Sequence, residues 1–355
     1  MSLHIGLGLF TGQVPPGGGR SVADEYEDIL ALAGIAEEVG FDSFWVSEHH
    51  GAVDSYLPSL TVMLAAVAAV TKRLLLGTAV VLGPFQHPLR FAEDCAVVDQ
   101  LSRGRLIIGI GSGWRQEEFH AFGIPLAERA GRTTELVKVC RAAWDQERFS
   151  FHGRYFAYDN VRVTPKPFGH LTLMLGGRAP AALARAGRLA DGYMGTPQNR
   201  IAEFRADVGA FDAAARDAGR VAERLSVGFH VNAWVSPDGA MPESVRTAMW
   251  HQIGTYMAWH AAEESGDASS PLPPVDDGLI RARAFAGTPG DVVRQARPWV
   301  EEFGQRELHV IVRLHYPGMR RQDAERAMRL FAADVIPALK RLAGAPRSDG
   351  SGGDG

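Results

Sequence analysis

The sequence predicts an α/β chain folded as a (β/α)8 TIM barrel, with insertions after strands four and seven. Eight short apolar runs recur along the 355 residues, and each is followed by a stretch of helical periodicity. That alternation asks for a parallel sheet, and eight units close it at the usual barrel size. A third observation counts against the doubly wound open sheet, the nearest competitor: no G-x-G-x-x-G follows the first run.

The elements follow in order. Residues 3–10 read as strand one, then a Gly/Pro-rich loop covers 12–19 and a helix covers 21–39. Gly40 closes that helix as a left-handed cap. Strand two is 43–47, a helix follows Pro58, and 74–82 is strand three. His87-Pro88 opens the next helix, with proline at its first position, and this helix runs to Leu101. Strand four is 105–110, followed by Gly111-Ser112-Gly113-Trp114 and helix to about residue 146. Alternating aromatics break the rhythm at 149–167, which suggests an inserted hairpin or extended arm. Strand five is 171–175, with helix over 178–190; strand six is 192–194, with helix over 201–218. Strand seven is 225–235, and a long excursion fills 236–286. Thr288-Pro289-Gly290-Asp291 then caps a helix, strand eight is 307–314, and the last helix is 322–342. Residues 343–355 are rich in Gly, Ser and Asp and read as a disordered tail to one domain spanning 1–342.

Hydrophobic residues are 46% and charged residues 22%, ordinary values for a globular protein. A net charge of −4 gives no reason to expect nucleic acid or an anionic membrane as partner. No apolar stretch is long enough to span a bilayer, and no secretory leader is visible. Two cysteines, Cys95 and Cys140, both in helical patterns, do not suggest a disulfide framework. A reducing, cytoplasmic setting is therefore expected.

Chemistry in parallel barrels gathers where strands end and loops begin. Strand two ends Ser47-Glu48-His49-His50, two imidazoles and a carboxylate at the close of a buried run. That grouping suits a catalytic site, a metal site or a satisfied structural cluster. Barrel metallohydrolases begin with ligands at the end of strand one, but here that strand ends Leu9-Phe10-Thr11. Metal therefore loses ground, and a base or orienting role for His49 gains it. Gly176-Gly177-Arg178-Ala179-Pro180 ends strand five. The glycines would let backbone approach a ligand, Pro180 starts a helix with free N–H groups, and Arg178 could add a guanidinium contact. The same pattern also suits a plain strand-to-helix turn. Ser112-Gly113-Trp114 is another small-residue turn, and Trp114 could floor a planar ring or simply pack in the core.

With these residues in place, the chain resembles the bacterial-luciferase-like superfamily of flavin-dependent monooxygenases and oxidoreductases. The resemblance covers nearly the whole chain. It is densest in GFDSFWVSEHH, LLLGTAVVLGPFQHPLRFAEDCAVVDQLSRGRLIIGIGSGW and EEFHAFG, with LMLGGRAPAALARAGRLADGYM and AGTPGDVVRQA later. It implies reduced flavin bound at the strand ends and a flavin hydroperoxide that oxidises an organic substrate. By position His49 matches the catalytic histidine, with Glu48 and His50 as its neighbours. Ala79-Val80 matches the site of a non-proline cis peptide under the flavin ring. The turn from Gly176 to Ala179 matches the flavin-phosphate site. Luciferase carries acidic and hydroxyl residues there, and an arginine near the position of Ser112. The phosphate contacts are thus rebuilt here, with Arg178 as the compensating charge, and light emission is not expected.

The resemblance therefore implies a two-component monooxygenase that takes reduced FMN from a separate flavin reductase, with oxygen and a small organic molecule as substrates. The alternatives are a dehydrogenase using the deazaflavin coenzyme and a non-catalytic flavin-binding partner subunit. Retention of His49 and of the strand-five turn argues against the latter. The helix at 57–70 is apolar all round, which predicts a homodimer through it. The excursion at 236–286 leaves on the catalytic face and carries Trp250, Tyr256, Met257, Trp259 and His260. It is expected to form a mobile lid over the pocket, flexible in its second half at 265–278.

Overall fold

The eight apolar runs become eight parallel strands that close on themselves. The computed structural model describes residues 2–17, 19–196, 200–265 and 273–344. Strand β1 (Leu3–Phe10) is followed by helix α1 (Val22–Val39), which starts in a capping box between Ser21 and Asp24 and stops at left-handed Gly40. Then come β2 (Ser43–Val46), α2 (Leu60–Val70), β3 (Leu75–Thr78), β4 (Val81–Leu82), α3 (Pro88–Ser102) and β5 (Leu106–Gly111). The run expected as one strand at 74–82 is thus divided in two around Ala79–Val80, whose peptide is cis. Helices α4 (Gln116–Ala121) and α5 (Arg129–Asp145) replace the single helix expected up to residue 146, because Gly123 takes a positive φ of 64° and Pro125 follows.

Strands β6 (Phe149–His152) and β7 (Ala157–Val161) form the expected hairpin outside the barrel. Strand β8 (Thr172–Gly176), α6 (Pro180–Leu189), β9 (Gly192–Gly195), α7 (Ile201–Asp217) and β10 (Ser226–Val235) resume the alternation. The excursion holds α8 (Glu243–Ser265) and α9 (Asp277–Ala282), and residues 266–272 of its expected flexible half lie outside the described residues. Its last residues are not excursion: Ala284–Gly287 form β11, parallel to β10 from Asn232 to Val235. Strand β10 outruns its barrel neighbour β12 (Leu308–Arg313), whose pairing stops at Asn232, and β11 takes up the remaining edge. Helix α10 (Pro289–Phe303) has the Thr288–Asp291 capping box. The expected last helix is α11 (Arg321–Leu330), a π turn at Phe331–Val335, and α12 (Ile336–Gly344). The wider turn stands just before Pro337, which has no N–H to continue the ladder. Of the expected tail at 343–355, residues 345–355 lie outside the described residues. No described helix is long and apolar enough to cross a membrane.

The barrel runs β1-β2-β3-β5-β8-β9-β10-β12 and returns to β1. Its interior holds Leu9, Trp45, Ile107, Met174, Met194 and Ile311, all nearly or fully buried. Trp45 fills much of it, and its indole N–H donates to Ser43 Oγ at 2.8 Å. The neighbouring strands yield to it. A Cβ on Gly77 would lie 2.1 Å from Trp45 Cε3, and one on Gly6 would lie 2.7 Å from Trp45 Nε1. Helix α2 buries Leu60, Met63, Leu64, Val67 and Ala68 while leaving Val62 and Val70 exposed, and α3 beside it exposes Val97 and Leu101.

Gly77→Ala is expected to destabilise the fold by about 2 kcal/mol or more, since an added methyl in a filled core forces side chains or backbone to shift. Urea unfolding followed by circular dichroism measures this. A variant as stable as the parent would show that the barrel interior has slack.

Candidate active site

Strand β2 ends at Val46, so the next four residues emerge at the carboxyl face of the barrel. Backbone bonds from Ser47 N–H to Phe10 O and from His49 N–H to Leu57 O fix their path. His49 is only 5% exposed and its Nδ1 lies 2.8 Å from Glu118 Oε1. The same oxygen accepts the His50 N–H at 2.8 Å, and Arg115 Nη1 stands 3.5 Å away. Arg115 also donates to the His50 carbonyl at 3.2 Å. One carboxylate oxygen thus sets the imidazole and the loop that carries it. His50 Nε2 meets Glu48 Oε1 at 2.8 Å, so the tetrapeptide holds two separate imidazole–carboxylate pairs.

The charges follow from burial and partners. Burial pushes the His49 pKa below its ordinary value, against the opposing pull of Glu118. Burial also acts to raise the Glu118 pKa, but its bonds to His49 and the His50 N–H, with Arg115 nearby, hold it below the usual carboxylate value. Glu48 is raised by burial, which outweighs its bond to His50. With Glu118 ionised and accepting from Nδ1–H, His49 is the tautomer whose basic nitrogen is Nε2.

Aromatic rings enclose that imidazole. Tyr56, Tyr256 and Trp259 meet it edge-on with centroids at 4.9, 5.4 and 4.8 Å, and Trp114 does so at 6.3 Å. The hydroxyls of Tyr56 and Tyr256 are 2.9 Å apart. Tyr256, Trp259 and His260 all belong to α8, so the first half of the excursion lies directly over the strand ends. Two more contacts hold it: the Arg115 guanidinium lies 4.1 Å from the Trp259 ring centroid, and His260 stacks on Trp114 at 4.1 Å. A cleft of about 340 Å³ opens beside the enclosure, lined in part by Arg115, His251, Trp259 and Glu263.

The other sequence-selected residues gather on the strands beyond. Val80 packs towards Gly111 and Gly176, where added Cβ atoms would lie 2.5 and 3.5 Å from its methyl groups. Gly177 takes a φ of +124°, and α6 starts at Pro180 behind Ala179, which offers no side-chain cap. Gly113 takes a φ of +69° against Phe119. Arg178 sits at the expected turn, but its guanidinium is engaged by Glu203 at 2.6 Å and Asp207 at 2.9 Å. The arginine beside Ser112 is Arg185, buried on α6, with Nη2 3.0 Å from Ser112 Oγ and Nε unpartnered. Trp114, weighed as the floor for a ring, is stacked on His260 of α8.

Glu118, Arg115, Arg185 and Tyr56 are not singled out by the sequence, whereas Tyr256 and Trp259 are expected only as part of the lid. Glu118 had a signal, a carboxylate in the first turn of the helix after strand four. Arg185 had one as well, a charge among the buried residues Leu183 and Ala186 of an amphipathic helix. The α8 rings had theirs in the density of large side chains in the excursion, although only the tertiary fold brings them to His49.

Residues 5–306 match the family model described as luciferase-like monooxygenase. Over 344 residues the chain is 27% identical to an F420-dependent glucose-6-phosphate dehydrogenase of Amycolatopsis mediterranei (strain U-32), covering 92% of this chain and 98% of that protein. Over 173 residues it is 35% identical to an FMNH(2)-dependent dimethylsulfone monooxygenase of Pseudomonas fluorescens (strain Pf0-1), covering 48% and 46%. Among solved structures, the monooxygenase RslO1 from Streptomyces bottropensis superposes with a TM-score of 0.77 at 28% identity, over 95% of this chain and 99% of that one.

Glu118→Gln is expected to lower the His49 pKa further, because it removes the negative charge that favours the imidazolium. NMR titration of the His49 ring checks this. An unchanged midpoint would mean that Glu118 orients the ring without setting its charge.

Proposed function

This chain belongs to the luciferase-like monooxygenase family, and we propose that it is a flavin-dependent monooxygenase using reduced FMN and oxygen to oxidise a small organic substrate. The observation that carries the reading is His49, a base held by Glu118 inside an aromatic enclosure that α8 closes. Oxygen chemistry needs water kept out while a proton is moved at a defined atom, and this arrangement suits both tasks. When bound, reduced flavin supplies the two electrons that activate oxygen. The strand ends suit that group. Val80, Gly111 and Gly176 offer a close-packed surface for a ring, while the uncapped start of α6 and the orphaned Nε of Arg185 suit a phosphate. In this reading His49 gives and takes the proton at Nε2, Glu118 keeps the ring in place, and Tyr56 and Tyr256 present hydroxyls to the substrate.

A second reading rests on a specific observation. The F420-dependent glucose-6-phosphate dehydrogenase matches along almost its whole length, so hydride transfer with the deazaflavin coenzyme is the alternative. A separate reductase as electron donor goes with the first reading only. The exposed Val62, Val70, Val97 and Leu101 on α2 and α3 support a homodimer through α2. Light scattering at micromolar concentration tests that association, and a monomeric mass would exclude it.

The deciding experiment is reconstitution of the chain with reduced FMN and with reduced F420 in parallel, following cofactor affinity and oxygen uptake. Tight FMN binding with oxygen uptake is expected. His49→Ala should keep the affinity within a few fold and slow turnover by roughly 10²-fold or more. F420 binding without oxygen uptake would establish the dehydrogenase reading instead.

A further inference from the structure

The far end of the barrel carries a cluster for which the oxidoreductase reading has no use. Strands β1 and β12 are neighbours in parallel register, with His4 opposite His309 near their amino ends. The two imidazoles stack, centroids 4.7 Å apart and planes 13° apart. Glu307, the residue before β12, places Oε1 3.6 Å from His4 Nε2 and 3.4 Å from His309 Nε2. One ligand atom from each of the three lies within 4.8 Å of the others. Ligand atoms about 2.1 Å from a tetrahedral metal lie roughly 3.4 Å from one another, a spacing that Glu307 Oε1 already keeps to both imidazoles.

A second observation concerns burial. His309 is fully buried, its Nδ1 has no hydrogen-bond partner among the described residues, and its Nε2 faces Glu307 Oε1 at 3.4 Å. Buried polar groups are ordinarily well paired, and the long contact to Glu307 leaves room for a stronger ligand at this imidazole. Approach from solvent is open, since the His4 and Glu307 side chains are 22% and 46% exposed.

We propose that His4, Glu307 and His309 bind a divalent transition metal, Zn²⁺ in the first instance, which ties the first strand of the barrel to the last. Two neutral imidazoles and one carboxylate suit Zn²⁺, with water in the fourth position. The site lies at the end opposite His49, so its role is structural. It joins the two strands most distant in sequence that the barrel must hold together.

The test uses the chain freed of metal by chelation and then titrated with ZnCl₂ against a chromophoric chelator, with Tm recorded at each step. One Zn²⁺ per chain is expected, with Tm raised by roughly 5 °C at a hundredfold excess over Kd. Glu307→Gln and His4→Gln, both at partly exposed positions that the fold tolerates, should each weaken binding by about 100-fold or more and abolish the rise in Tm. Co²⁺ in place of Zn²⁺ should give the visible absorption of a tetrahedral site in the parent and not in either variant. No binding by the parent would overturn the proposal, and so would equal binding by the parent and either variant.

Discussion

One oxygen of Glu118 holds the candidate site together. It accepts from the His49 ring and from the His50 backbone, and it stands beside the Arg115 guanidinium. A carboxylate that is 1% exposed is costly to bury unless its partners are close, and here they come from two loops. The need to satisfy that charge links the loop after β2 to the start of α4. Arg115 carries the link one step further, because its guanidinium lies on Trp259 of α8. The cover over the site is therefore coupled to the group that holds the His49 ring. Loss of the carboxylate would act on the ring, the loop and the cover together.

The barrel beneath supplies rigidity by a different device. Trp45 is large for the interior of an eight-stranded ring, and it fits only because adjacent strands have glycine where a Cβ would collide with it. Gly6 and Gly77 are such positions, and Ser43 takes up the indole N–H. Tight packing at the level of β2 then passes directly to the residues that leave it. Ser47 to His50 start from a strand whose four residues are all buried, so their direction is set by the core.

The alternation of strands and helices was legible because each element carries a local signature. Examples are the Ser21 and Thr288 capping boxes, Gly40 at a helix end, and Pro88 at a helix start. The place of His49 at a strand end could be read from the sequence. Its partner could not be chosen from sequence, since many carboxylates are available and only the fold brings residue 118 beside residue 49. Arg178 shows the same limit from the other side. It sits at the turn where an anion contact was expected, yet Glu203 and Asp207 of α7 engage it, and a buried arginine two turns along α6 lies beside Ser112 instead. The end of the excursion was misread because β11 is short and its pairing depends on the extra length of β10.

Trp45 also divides the barrel. Above it lie the strand ends with His49, and below it His309 meets the indole edge-on at 5.7 Å. With Leu9, Met174, Met194 and Ile311 around it, the indole forms an apolar partition across the middle of the ring. A partition of this kind insulates one end from the other. His49 and the cleft beside α8 lie on one side of that layer, and the His4–Glu307–His309 group lies on the other. The two ends of one small barrel can therefore be chemically independent compartments, each answering to the solvent on its own side.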